Sequence, residues 1–176
     1  MRYEHQENEE MTRDYLSECH KGGEMASLVV SLCTDDINIA KAALRAKYDM
    51  LKNHVKKSNE EYSFLIGISN SDVKSNGKIV PFHLHGIVKG INSFDFTQNV
   101  ARCINRKAQL KHEKEGIEKR AIPAKTKKIV GLDEDFDDCG MRYVGYVLSQ
   151  CSNKQQFSNA SDENKFDFRN FNESKY

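Results

Sequence analysis

The segment "VPFHLHGIVKG" (residues 80–90) is an apolar run interrupted by His83 and His85. Its apolar and β-branched residues favour a β-strand, in which side chains alternate between the two faces of a sheet. His83 and His85 therefore project from one face, with their Cα atoms about 6–7 Å apart. Such a pair can bind one divalent ion, or it can be two half-exposed histidines on an open sheet face. Gly86 leaves room for a close approach to the strand.

The segments before this strand predict alternating strand and helix. "ASLVVSLCT" (residues 26–34) has the composition of a central strand, and "INIAKAALRAKYDMLKNHVKK" (residues 37–57) has apolar residues at helical spacing. Asp35 or Asp36 can cap the start of that helix. "EYSFLIGIS" (residues 61–69) predicts a second strand, and the Asn76-Gly77 turn leads back into the histidine strand as a hairpin.

The segments after the histidines complete the pattern. "FTQNVARCINRKAQL" (residues 96–110) predicts a helix, "KKIVGLDED" (residues 127–135) a short strand, and "MRYVGYVLSQC" (residues 141–151) a further helix. The order β-α-β-β-α-β-α predicts an α+β fold. We expect a central antiparallel sheet with the helices packed on one face, of the ferredoxin-like or RRM-like type, and the histidines on a central strand.

The chain of 176 residues is long enough for one self-sufficient core. We expect an N-terminal extension over residues 1–25, one domain over residues 26–151 and a polar tail over residues 152–176. The absence of a long apolar run and the polar N-terminal region indicate a cytoplasmic protein that does not contact a membrane, in the host cytoplasm if it is viral. The five cysteines are scattered without zinc-type spacing, which predicts reduced thiols.

Positive charge is concentrated in one part of the chain, although the net charge is only +1. Residues 102–128 contain ten Lys and Arg against three Glu, whereas residues 133–138 contain five acids. This basic stretch can follow a phosphate backbone, or it can be a solvated helix and loop. The candidate DNA contacts are four residues at near-helical spacing (Arg102, Arg106, Lys107 and Lys111) and three in the loop that is expected to follow (Lys125, Lys127 and Lys128).

The ordered set of segments, with "FHLHG" on a strand and a tyrosine-bearing segment at the end, resembles the HUH endonuclease superfamily over residues 26–151. Its members include rolling-circle replication initiators, relaxases and IS200/IS605-type transposases. The resemblance implies the HUH nuclease version of the ferredoxin-like fold. It also implies that His83 and His85 bind a divalent metal, Mg²⁺ or Mn²⁺, and that a tyrosine attacks single-stranded DNA.

Two tyrosines compete for the role of nucleophile. The string Tyr146-Val-Leu-Ser-Gln150 is similar to the Tyr-aliphatic-x-x-Gln of IS200/IS605-type transposases, which implies that Tyr146 is the nucleophile and Gln150 the third metal ligand. Tyr143 is the second candidate or an auxiliary nucleophile. The Tyr-x-x-Lys of many initiators is absent, because Ser149 stands three residues after Tyr146. Asp72 is the alternative third ligand, being the acid nearest to the preceding strand.

The resemblance implies metal-dependent nicking and joining of single-stranded DNA through a 5′-phosphotyrosyl intermediate, initiating rolling-circle replication of a plasmid or virus. The implied partners are single-stranded or hairpin DNA and a second copy of the chain as a homodimer. A helicase or polymerase of the replicon or host is also implied, because the chain has no GxxxxGK[ST] motif. Two alternatives stay open, a single-strand transposase of the IS200/IS605 kind and a non-catalytic DNA-binding relative.

Overall fold

The computed structural model describes residues 9–10, 13, 24–58, 60, 62–69, 72–73, 76–116, 123–130 and 139–149. In chain order the elements are β1 (Glu24–Ser31), α1 (Ile37–Lys57), β2 (Ser63–Ser69), β3 (Asp72–Val73), β4 (Ile79–Val80), β5 (His83–Gly90), α2 (Ser93–Glu115), β6 (Lys125–Lys128) and α3 (Cys139–Ser149). Four strands form an antiparallel sheet in the order β2-β5-β1-β6, and β3 pairs with β4 separately. The α+β prediction is confirmed, and the strand order is compatible with a ferredoxin-like fold.

β5 lies inside the sheet, with β1 on one side and β2 on the other. The alternation of its side chains gives one apolar face, which carries Leu84 and Val88, both fully buried. The opposite face carries His83, His85 and Ile87. Both histidines thus lie on an inner strand of the sheet and share one of its faces.

Helices α1 and α2 cover the Leu84 face of the sheet. The core here joins apolar residues of the sheet and of both helices, and its fully buried members are Leu28, Ala40, Leu44, Leu51, Ile68, Leu84, Val88 and Val100. Helix α1 begins as expected, because the Asp36 carboxylate accepts from the backbone N–H groups of Asn38 and Ile39 at 2.8 and 3.1 Å. These layers make the sheet a rigid support for whatever its other face carries.

The prediction that all helices pack on one face is wrong, because α3 lies on the histidine face. It packs against β2 and β5, and its Met141, Val144 and Val147 are buried. The physical reason is that the histidine face is half apolar: Leu65 and Ile87 project from it and need a cover. Helix α3 supplies this cover and brings its tyrosines towards the histidines.

Two strand boundaries differ from those that the sequence predicts. The hairpin segment is divided at Pro81 and Phe82, since proline has no N–H to donate to a ladder. Phe82 instead donates its N–H to the carbonyl of Thr34 and accepts from the N–H of Leu32. The last strand lies at Lys125–Lys128, earlier than predicted; residues 129–130 are not strand, and residues 131–135 lie outside the described part of the chain.

Among the helices that the structure describes, none is both long enough and apolar enough to span a bilayer. Residues 1–8 and 151–176 lie outside the described residues, as do most of residues 11–23. The predicted extension and tail therefore stay predictions. Strand β1 begins at Glu24, two residues before the start expected for the domain.

Replacement of Leu44 by Ala should lower the free energy of unfolding by about 2–5 kcal/mol, because it leaves a cavity between α1 and the sheet. Ile39→Ala is the matched control on the same helix, since the Ile39 side chain is 59% exposed. The control should change stability by no more than about 0.5 kcal/mol. Urea denaturation followed by circular dichroism measures both, and equal losses in the two variants would contradict this packing.

Candidate metal and tyrosine site

The histidine pair occupies the middle of the sheet. The ring centroids of His83 and His85 are 6.2 Å apart, with the ring planes close to perpendicular. In register, His85 lies between Val29 of β1 and Gly67 of β2, so that its neighbour on the β2 side has no side chain. Both imidazoles are half-buried. One face of the sheet thus presents two imidazoles close enough to meet at a common ion.

Burial keeps both histidines neutral. It lowers the pKa of His85 to about 4, and the neighbouring His83 adds to this lowering. Burial also lowers the pKa of His83. Near pH 7 both rings therefore keep a free nitrogen lone pair, which is the form that binds a metal.

One atom of His85 lacks the partner that a buried polar atom ordinarily has. Its Nδ1 is buried and forms no hydrogen bond within the described structure. Such atoms are uncommon, because burial without a partner costs about 1–3 kcal/mol. A bound cation at this nitrogen would offset that cost, so the unpaired Nδ1 fits the chemistry of a metal ligand.

Helix α3 brings two tyrosines to His85 in different environments. The Tyr146 ring centroid lies 5.1 Å from that of His85, and the Tyr146 side chain is 40% exposed. The Tyr143 ring lies 6.2 Å from His85 and is half-buried. Both tyrosines therefore border the histidine pair, and Tyr146 is the more accessible from solvent.

Tyr143 makes a structural contact with β5. Its hydroxyl donates a hydrogen bond to the carbonyl of Gly86 at 3.1 Å, directly after His85 on β5. Burial raises the pKa of Tyr143 well above its usual range. The phenol is therefore held neutral and occupied, and it fixes α3 to the strand that carries the histidines.

The structure describes two of the candidate metal ligands, the two histidines, and the candidates for the third lie outside its described residues. Gln150 and the side chain of Asp72 lie outside the described residues. Among the residues whose positions are described, no group of three or more His, Cys, Asp and Glu is arranged to hold a metal ion. The imidazole pair fits a divalent ion with other positions left for water and substrate oxygens.

Comparison with known proteins gives the site no further identity. Comparisons with protein-family models, with curated proteins and with solved structures found no significant match. The resemblance to HUH endonucleases therefore stays a prediction from the sequence motifs. The structure adds the positions of His83, His85 and Tyr146 relative to one another.

The basic candidates lie on both faces of the sheet. Arg102, Arg106, Lys107 and Lys111 lie exposed on α2, which packs on the face away from the histidines. Arg102 hydrogen-bonds Gln98 and Asn99, and the Nζ of Lys111 lies 3.9 Å from Glu115. The structure does not bring these four residues to the histidine pair.

The three later lysines lie on β6. The loop predicted for them is wrong, and the strand predicted from Lys127 begins two residues earlier, at Lys125. Lys125 and Lys127 pair in register with Val29 and Ser27 of β1, and so project from the histidine face. Lys128 projects from the other face, where its ammonium contacts the Glu24 carboxylate at 2.5 Å. If "KTKK" is a strand, its alternation puts Lys125 and Lys127 on one face and Lys128 on the other. Only the pairing with β1 shows which of these faces carries the histidines.

In EDTA, the protein should lose stability as the pH falls from about 6.5 to about 4, partly because of His85. Below its ordinary pKa of 6.5, His85 binds a proton in the unfolded chain, whereas the folded protein resists protonation until about pH 4. His85→Gln should remove this contribution. At about 1.4 kcal/mol per pKa unit it is below about 3.5 kcal/mol, because solvent partly screens the half-buried ring. Urea denaturation at a series of pH values measures it.

The control for this experiment is His112→Gln on α2, the helix that covers the other face of the sheet. An effect caused by the loss of any histidine would appear in this variant as well. If His85→Gln and the wild type lose stability in parallel between pH 6.5 and pH 4, His85 is not held neutral by the fold.

Proposed function

We propose that this protein nicks and rejoins single-stranded DNA through a covalent bond to Tyr146, the reaction that initiates rolling-circle replication of a plasmid or virus. One observation supports it above the others. An exposed tyrosine lies 5.1 Å, ring centroid to ring centroid, from a histidine that shares its sheet face with a second neutral histidine. A candidate nucleophile and a candidate metal pair thus lie at one accessible surface.

The reaction that fits these groups is transfer of a phosphodiester to a phenol. The Tyr146 oxygen attacks the phosphorus of the scissile phosphate and forms a bond to it. The bond from that phosphorus to the 3′ oxygen breaks, so that the phosphate stays on the 5′ end of the downstream strand. The phenol loses its proton and the leaving 3′ oxygen gains one, so that a free 3′-OH is produced. The phosphotyrosyl ester conserves the energy of the broken bond, and a 3′-OH can attack it to rejoin the strand without ATP.

His83 and His85 would hold the divalent ion, Mg²⁺ or Mn²⁺. When bound, the ion would supply positive charge for the oxygens of the scissile phosphate. The chain's own contribution is to keep both imidazoles neutral and fixed on a central strand, where flanking strands limit their movement. Fixed ligands lower the cost of assembling the site when DNA arrives.

The two tyrosines take different roles in this proposal. Tyr146 is the nucleophile because DNA can reach its exposed phenol. Tyr143 is a positioning residue, since its hydroxyl is used in the bond to Gly86. Because the two residues are three positions apart on α3, the bond made by Tyr143 also sets the position of Tyr146 above His85.

A single-strand transposase of the IS200/IS605 kind is the second candidate. Gln150 stands four residues after Tyr146, as in those transposases. The chemistry at Tyr146 would be the same, and the substrates would differ. Formation of a covalent product with transposon-end hairpins, and none with origin strands, would favour this candidate.

Tyr146→Phe should abolish covalent attachment to single-stranded DNA, whereas Tyr143→Phe should retain it at a reduced rate. The first change removes the attacking oxygen, and the second removes only the bond to Gly86, with a stability loss of about 1 kcal/mol. The measurement is a denaturing gel of labelled origin strands incubated with each variant in Mn²⁺. EDTA is the metal control, and thermal unfolding checks that each variant is folded.

Loss of the adduct in folded Tyr143→Phe together with full retention in Tyr146→Phe would reverse the assignment of the two tyrosines. Absence of an adduct from wild-type protein with origin strands and with transposon ends would contradict a nicking function. DNA binding without an adduct would then favour the non-catalytic alternative.

His83→Ala and His85→Ala should each weaken Mn²⁺ binding by about tenfold or more, because each removes one of two imidazole ligands. Electron paramagnetic resonance of free Mn²⁺ gives the dissociation constant without any need for DNA or activity. His112→Ala, on α2 and away from the sheet face that carries His83 and His85, is the matched control and should bind Mn²⁺ as the wild type does. Unchanged affinity in both strand variants would contradict a metal site at the histidine pair.

A further inference from the structure

Strand β6 places two lysines in line with the histidine pair. Lys125 is in register with Val29 of β1, and Val29 is in register with His85 of β5. These three residues form one row across the sheet, and their side chains share the histidine face. Neighbouring strands are about 4.8 Å apart, so that Lys125 starts about 10 Å from His85.

The sheet surface between Lys125 and the histidine pair carries only short side chains. Val29 is half-buried and short, and the next row contains Ser31 beside His83. No long side chain of these β1 positions separates Lys125 from the imidazoles. An extended ligand, such as a single DNA strand, can therefore lie across β1 from the histidines to β6.

This short strand is fixed at both ends, although its lysines are exposed. Before it, the Asn105 side chain accepts from the Ala124 N–H at 2.7 Å and donates to the Ala124 carbonyl at 3.3 Å. Within it, the Lys127 N–H donates to the Ser27 hydroxyl at 3.1 Å, and that hydroxyl lies 3.3 Å from the Lys127 carbonyl. After it, the Ile129 N–H donates to Met25. The backbone that carries Lys125 and Lys127 is thus held in place.

The charges of β6 are also divided by face. Lys128 is paired with Glu24 on the other side of the sheet. Lys125 and Lys127 are exposed, and neither ammonium has an ion-pair partner among the described residues. Two unneutralised ammonium groups therefore stand on the face where a scissile phosphate would lie.

We propose that Lys125 and Lys127 bind backbone phosphates of the single DNA strand that is cleaved at Tyr146. The strand would cross β1 between the histidine pair and β6, and it would not follow the basic surface of α2. This inference rests on the proposed function, because the scissile phosphate defines one end of the path. The alternative role of these lysines is that of a charged edge strand which discourages pairing with other chains.

The test is the salt dependence of binding to labelled oligothymidylate, measured by fluorescence anisotropy in EDTA so that no cleavage occurs. For single strands, the logarithmic slope of affinity against salt changes by about 0.7 for each phosphate contact. Lys125→Gln and Lys127→Gln should each reduce the slope by about 0.7, and the double variant by about 1.4. Lys125→Arg should retain the wild-type slope, because the charge is kept.

Lys107→Gln on α2 and Lys56→Gln near the end of α1 are the matched controls, since each removes one exposed lysine from the other side of the sheet. Both should leave the slope unchanged. A wild-type slope in the folded double variant would overturn the proposed path. A slope that is reduced in Lys107→Gln and unchanged in Lys125→Gln would overturn it as well. An equal effect of the double variant on binding to duplex DNA would also overturn it, because the contact would then not be specific to single strands.

The proposed function is judged separately by the covalent adduct. Wild-type protein that forms an adduct, with lysine variants that bind as tightly as the wild type, would overturn the path and leave the nicking function standing. Wild-type protein that forms no adduct, with lysine variants that lose the expected slope, would overturn nicking and support the β6 surface as a binding site.

Discussion

The antiparallel pairing of β5 with a neighbour on each side is the constraint on which the rest of the structure depends. It fixes the alternation of side chains along His83–Gly90, so that Leu84 and Val88 enter the core below α1 and α2. The same alternation puts His83 and His85 together on the other face. A slip by one residue would exchange the two sets and bury both imidazoles in the main core. The strength of that core therefore also holds the histidines in place.

The second contribution comes from α3, which completes the site and also covers part of the sheet. Ile87 and Leu65 are buried beside the histidines, and the helix that covers them carries Tyr143 and Tyr146. The hydroxyl of Tyr143 reaches the carbonyl of Gly86, one residue beyond His85. Packing and one hydrogen bond thus place the exposed phenol of Tyr146 next to an imidazole that burial keeps neutral.

The sequence predicts the features that depend on local patterns. The order of the main elements, the Asp36 cap and the shared face of the histidines follow from periodicity and capping rules. The face taken by α3 and the pairing partner of Lys125–Lys128 depend on contacts between distant segments, which no local pattern contains. For this reason the sequence predicts the helices on one face and Lys125 in a loop, whereas the structure has α3 on the histidine face and Lys125 on β6. The resemblance to HUH endonucleases names His83, His85 and Tyr146, whereas the structure distinguishes the environments of Tyr146 and Tyr143.

The central claim is that Tyr146 attacks DNA at the surface marked by His83 and His85. The most direct measurement is tandem mass spectrometry of wild-type protein after incubation with a single-stranded origin oligonucleotide and Mn²⁺, followed by nuclease and trypsin digestion. Cleavage after Arg142 leaves both tyrosines in one peptide, and its fragment ions separate them. A nucleotide phosphate is expected on Tyr146 and none on Tyr143. A modified Tyr143 beside an unmodified Tyr146, or a covalent bond to a residue away from α3, would contradict it.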